Sequence, residues 1–191
     1  MLIIGYGEDA LTYWAITSQL DKILLKLNDP SRPADATVIY RPSFGRGGGA
    51  NFGEFDAILG TQHAIYLVES KWDADNTIEL PDEQVRRHDI MQWYLKTWRE
   101  SCLQNWQTVT KQDMAFQDTF PNKKIAPVGS RLAQNLEFIL DKLSNCGTSV
   151  RNILLFMVQE NSAKPNIVPP DSFDLVVLKY PPLVPSGYVQ M

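Results

Sequence analysis

The 191-residue chain has two cysteines and two histidines. Cys102 and Cys146 stand far apart, with no Cys-x-x-Cys and no Cys/His spacing of a zinc site. That pattern predicts reduced thiols at core or near-core positions and a cytoplasmic setting. Long apolar runs are also missing. No stretch approaches the ~18 residues of a membrane span, and MLIIGYGEDAL at the N-terminus lacks the basic region and cleavage site of a signal peptide. An excess of positive charge is absent as well. A net charge of −4 argues against a general nucleic-acid binder with a basic footprint. Local sign then matters more than the total.

What is present reads as one globular domain. Hydrophobic residues make up 44% and charged residues 21%, and the length suffices to bury a core. Residues 8–27 predict an amphipathic helix with Tyr13, Ile16, Leu20, Ile23, Leu24 and Leu27 on one stripe, stopped by Asn28-Asp29-Pro30. Ala36–Arg41 reads as the first strand. The following SFGRGGGAN is not a P-loop, because no Gly-Lys-Ser/Thr opens a helix after it. It reads either as a mobile loop beside a binding groove or as a plain surface connection. A long helix is expected over 82–106, with Gln84, His88, Met91, Leu95, Trp98 and Cys102 at three- or four-residue steps. Residues 107–129 read as an irregular insertion, Ser130–Ser144 as a helix, and Asn152–Val158 and Asp174–Tyr180 as strands. The proline-rich residues 181–191 predict an extended arm. This order implies an α/β fold, a mixed sheet covered by helices on both faces.

Two runs carry charges where buried strands ordinarily have none. GEFDAIL at 53–59 contains Asp56, and IYLVESKW at 65–72 contains Glu69 and Lys71. Ionised groups are almost never fully buried unless paired or bound to a metal. If the runs form a hairpin with Gly60 paired to Ile65, Asp56 lies opposite Glu69 and Glu54 opposite Lys71. Directly opposed residues share a face, and a one-residue slip would separate the two carboxylates. Only one register parity makes a site.

Asp56 followed by Glu69-Ser70-Lys71 at the end of an apolar strand resembles the PD-(D/E)xK nuclease superfamily, whose core is the restriction-endonuclease-like fold. GEFDAILGTQHAIYLVESKW is similar to the nuclease-related-domain and Mrr-like branches. Phe55 stands where the superfamily has its proline. The resemblance covers about residues 5–75 and implies a Mg²⁺- or Mn²⁺-dependent deoxyribonuclease. Asp56 and Glu69 would hold the metal, with the Ser70 main-chain carbonyl as a further ligand and Lys71 acting on water and phosphate. Glu8 is similar to the acidic residue on the first helix of many members. It has two readings: a site carboxylate, or a partner of the helix N-terminal dipole, worth about 0.3–1 kcal/mol. His88 stands where RecB-like branches carry a Tyr four residues after Gln84, and reads most simply as a core-edge histidine.

DNA is the implied substrate, and Arg41, Arg46, Gln84 and Arg87 are the candidate nucleic-acid contacts. Cutting both strands with one small site implies a two-fold homodimer. Two other functional classes stay open: a non-catalytic binding or regulatory protein on the same fold, and an unrelated α/β domain whose three charges form a structural ion-pair cluster.

Overall fold

The apolar runs become the centre of a five-stranded sheet. A computed structural model describes residues 4–45, 49–72, 80–101, 104–162, 167–181 and 187–190. Its strands are β1 (Ile4–Tyr6), β2 (Thr37–Tyr40), β3 (Ala57–Gly60), β4 (Ala64–Trp72), β5 (Ser149–Gln159), β6 (Phe173–Tyr180) and β7 (Tyr188–Gln190). The helices are α1 (Gly7–Ser18), α2 (Leu20–Lys26), α3 (Asp82–Glu100), α4 (Trp106–Thr110), α5 (Asp113–Thr119) and α6 (Arg131–Leu143). The main sheet has the order β2-β3-β4-β5-β6. β2, β3 and β4 run antiparallel, and β4, β5 and β6 run parallel. β4 is central and covered on both faces, which is why Ala64–Ser70 are all buried.

Alternation along the strands sorts the core into two layers. Leu59, Tyr66, Val68 and Leu155 face α1 and α2, packing on Leu11, Ile16, Leu20 and Leu24. Ile58, Ile65 and Leu67 face the other way, onto Ile90, Met91 and Tyr94 of α3 and Leu136 and Leu140 of α6. Glu69 and Lys71 are in step with Ile65 and Leu67, so they project toward α3. The expected α/β architecture, helices on both faces of a mixed sheet, is present. Among the described residues no helix is long and apolar enough to cross a membrane.

Several local expectations are corrected. The helix expected over 8–27 breaks at Gln19, whose φ of −130° and ψ of 18° interrupt the helical ladder. The helix expected over 82–106 ends at Glu100, where Ser101 turns extended; Cys102 lies outside the described residues. A strand, β1, precedes the first helix and pairs antiparallel with β7. The predicted arm is therefore a strand over 188–190, its residues 182–186 and 191 lying outside the described set. Gly187 enters that strand at φ +87°, and a β-carbon there would meet the Trp72 ring at 2.4 Å.

The largest correction concerns the segment from Trp106 on: expected to be irregular over 107–129, it carries α4 and α5 and packs into the core. Trp106, Val109, Phe116, Phe120, Ile125 and Ala126 are all buried in the α3-side layer. The Trp106 and Phe116 rings each lie 5.5 Å from the Tyr94 ring, and Asn105 caps α4 by accepting from the Thr108 amide. Helices of five and seven residues are too short for apolar periodicity to reveal. Phe116→Ala should accordingly cost about 3–5 kcal/mol in urea unfolding, the usual loss for a fully buried aromatic. A cost below about 1 kcal/mol would restore the peripheral reading.

Candidate active site

β3 and β4 pair with Gly60 opposite Ile65 and Ala57 opposite Val68, the register expected from the turn. The ladder stops there. Before Ala57 the chain follows β2 instead: the Arg41 amide donates to the Asp56 carbonyl at 3.1 Å, Phe55 to Pro42 at 3.2 Å, and Phe44 to Gly53 at 2.7 Å. Glu54 consequently does not face Lys71, which corrects the sequence expectation. It bridges to Ser43, whose Oγ donates to Glu54 Oε1 at 3.0 Å. The hairpin partner supplies the bonds that β4 would have made, and the sheet splits between β3 and β4.

The split makes the site. Ser70 is fully buried and has lost its main-chain partner on that edge. The Asp56 side chain replaces it, Oδ2 accepting from the Ser70 amide at 2.7 Å. The N–H and C=O of one strand residue leave on the same edge, so the Ser70 carbonyl is directed to the same gap. Above it opens a cleft of about 630 Å³ lined by Glu8, Asp56, Glu69, Lys71, Gln84 and Arg87, among others.

Glu69 is 3% exposed, which requires compensation. Lys71 Nζ lies 3.7 Å from Glu69 Oε1 and 3.8 Å from Glu8 Oε2. Arg87 Nη1 lies 3.3 Å from Glu69 Oε2 and donates to the Glu54 carbonyl. Asp56 is less well served. Burial pushes its carboxyl up and the Glu69 charge adds to this. The Ser70 amide, Lys71 and Arg87 pull it back only partly, and it settles at about 6. Bringing two carboxylates this close in buried ground makes positive charge beside them favourable.

The structure thus brings Asp56, Glu69, Lys71 and Glu8 into one cleft, with Ser70 contributing main chain alone. Gln84 also lines it, its Oε1 buried without a hydrogen-bond partner. Arg41 reaches the cleft but is held by Asp9 and Glu54. Arg87 is a half-buried site cation: its side chain is 16% exposed and lies over the Phe55 ring. A β-carbon at Gly53, where φ is +103°, would meet Arg87 Nε at 2.9 Å, so this approach requires glycine. Arg46 lies outside the described residues.

Sequence reasoning undervalued two contributions. Lys123 enters the cleft from the segment read as an insertion, its Nζ donating to the Asn51 carbonyl at 2.6 Å. His88 is fully buried, its ring between Phe55 and Phe173 at 4.8 and 4.6 Å. Its Nδ1 lies 3.1 Å from Asn152 Oδ1, which accepts from Gln92 Nε2 at 2.8 Å. Its Nε2 lies 3.9 Å from Glu69 Oε2. A polar Asn152 opening the apolar run ILLFMV was the one available signal.

A second polar cluster has the composition of a hydrolytic triad and not its geometry. Ser31 Oγ lies 3.0 Å from His63 Nδ1, and the same Nδ1 is 3.5 Å from Asp29 Oδ1. A relay needs the serine and the carboxylate on opposite ring nitrogens. Burial pushes the Asp29 carboxyl up, but hydrogen bonds from Ser31, Tyr66 and Thr61 outweigh it and hold it at about 2. Asp29 is an anchor for the β3–β4 turn.

The donor set at the cleft suits a hard cation. Among the described residues no three His, Cys, Asp or Glu side chains group into a metal cage. Two carboxylates and a main-chain carbonyl are oxygen donors, and magnesium keeps several waters and takes one or two protein carboxylates. No family model matches the chain, and no curated protein and no solved structure matches it. The functional reading rests on this chain's own geometry.

Proposed function

We propose that the protein is a Mg²⁺- or Mn²⁺-dependent nuclease hydrolysing DNA phosphodiester bonds, a restriction-endonuclease-like enzyme of cytoplasmic setting. The observation that carries it is the split between β3 and β4. It sets the Asp56 carboxylate with Glu69 and Lys71 in the lining of an open cleft, where burial and the Glu69 charge raise the Asp56 carboxyl to about 6. Asp56, Glu69 and the Ser70 carbonyl would hold a divalent ion there, which would supply positive charge to the scissile phosphate and to a bound water.

The chain's residues supply the rest. Asp56 and Glu69 hold negative charge at a fixed spacing, with the Ser70 main chain between them. Lys71 is held by ion pairs to Glu69 and Glu8 in the cleft lining, where its ammonium would stabilise charge building on an attacked phosphate. Gln84 offers an amide on the opposite wall. Six carboxylates and five cationic side chains line the cleft, so its own charge does not draw in a polyanion, and productive binding waits on the metal. Acting on both strands of a duplex takes two copies, most simply a two-fold dimer.

One observation favours a second reading. Lys71 and Arg87 already flank Glu69 without any metal, as a structural ion-pair cluster would. Supercoiled plasmid separates the two. With Mg²⁺ or Mn²⁺ the nuclease should produce nicked or linear DNA, and EDTA should stop it. Inactivity on plasmid, linear and single-stranded DNA and on RNA with both metals would defeat the enzyme and leave a binding module.

A further inference from the structure

The chain Gln92–Asn152–His88 ends at Glu69 and is buried from Asn152 inward. His88 is 0% exposed, Asn152 4% and Glu69 3%. With Asn152 Oδ1 turned to both neighbours, Gln92 Nε2 and His88 Nδ1 are the donors. A neutral ring then presents the bare lone pair of Nε2 to a carboxylate, and Nε2 has no hydrogen-bond partner. A buried polar atom without a partner costs about 1–3 kcal/mol, and a lone pair facing a negative charge adds to that.

Both amides can present either end. Turned over together, Gln92 Oε1 accepts from Asn152 Nδ2, the same NH₂ donates to His88 Nδ1, and the ring carries its proton on Nε2, facing Glu69 Oε2. Each of the Gln92–Asn152–His88 contacts is then donor to acceptor, and an N–H in place of a lone pair stands 3.9 Å from the Glu69 carboxylate. We propose that His88 is a positioning residue which, with its Nδ1 facing Asn152 and its proton on Nε2, holds the Glu69 carboxylate in place, Asn152 and Gln92 setting the tautomer. His88 touches no reacting atom. Its effect passes through Glu69, leaving Oε1 to the side of Lys71 and the cleft. The clamp rests on the metal role proposed for Glu69, and outer partners of metal-holding groups are typically worth 10–100-fold in metal affinity or activity.

Nitrogen-15 shifts of the His88 ring at pH 8, recorded without metal, test the tautomer independently of any activity. A protonated Nε2 with a bare Nδ1 is expected. A proton on Nδ1 alone, or on both nitrogens, would overturn the proposal. Asn152→Asp keeps the volume but offers Nδ1 only an acceptor, so it should drive the proton to Nδ1 and weaken Mn²⁺ binding 10–100-fold by titration calorimetry. Should that variant fail to fold, Gln92→Glu, which can only accept from Asn152, locks the proposed order and should leave the ring shifts as in wild type, while a proton moved to Nδ1 in it would overturn the proposal. Unchanged Mn²⁺ affinity in a folded variant with a switched tautomer would reduce His88 to core packing. Wild type that binds no Mn²⁺ would instead defeat the nuclease reading, while the tautomer result would stand alone.

Discussion

Asp56→Asn is expected to make the metal-free protein more stable while abolishing cleavage. In the unfolded chain an aspartate titrates near 3.9, and in the fold burial and Glu69 raise Asp56 to about 6. The folded state therefore holds the proton more tightly. This group's contribution to stability is fully present below about pH 4 and is lost as pH rises through about 6. At pH 7.5 the ionised carboxylate costs on the order of 1–3 kcal/mol. Asparagine has the same shape, keeps an oxygen for the Ser70 amide, and carries no charge.

In EDTA at pH 7.5 the variant should melt about 2–12 °C above wild type, at about 2–4 °C per kcal/mol for a chain of this size. The gain should shrink toward zero at pH 4.5, where wild-type Asp56 is protonated. Magnesium should reverse the order by raising the wild-type Tm and leaving the variant unmoved. The wild-type metal shift should itself fade below about pH 6, because the ligand must be deprotonated to bind. A variant less stable than wild type at pH 7.5 in EDTA would mean that Lys71 and Arg87 already satisfy Asp56. The cleft would then be an ion-pair cluster.

How far the sequence reveals this site can be followed residue by residue. The Gly60–Ile65 register was legible because a buried strand tolerates only one parity, and that parity set Asp56 across from Glu69. The split before Ala57 was not legible. It depends on bonds from Pro42, Arg41 and Gly45 to the 53–56 segment, and main-chain pairing leaves no trace in side-chain pattern. The α/β class followed from element order, while β1 and β7 were missed because three residues carry no periodicity. Trp106 and Phe116 were misplaced because polar neighbours diluted their segment, although Tyr94 gathers both rings into the core. His88 was seen and undervalued. Its partner Asn152 lies 64 residues away, and only the parallel β4–β5 pairing brings the two near Glu69.

Lys71→Ala should separate metal binding from chemistry. The lysine stands between Glu69 and Glu8 at 3.7 and 3.8 Å, a position from which its charge repels a divalent ion while favouring the phosphate. Its removal should leave the Mg²⁺-dependent Tm shift intact or larger. Cleavage of plasmid should fall about 10²–10⁴-fold, the usual loss when a positioned proton-transfer or charge-stabilising group is removed. Glu69 remains flanked by Arg87 at 3.3 Å, so the fold should survive. In a structural cluster the same substitution behaves differently. There it would lower Tm with and without magnesium alike, because breaking a buried pair leaves uncompensated charge. Lys71→Met, which keeps the apolar stem, separates lost packing from lost charge. If it cuts DNA at the wild-type rate, Lys71 has no part in the reaction and Asp56 and Glu69 must act without it.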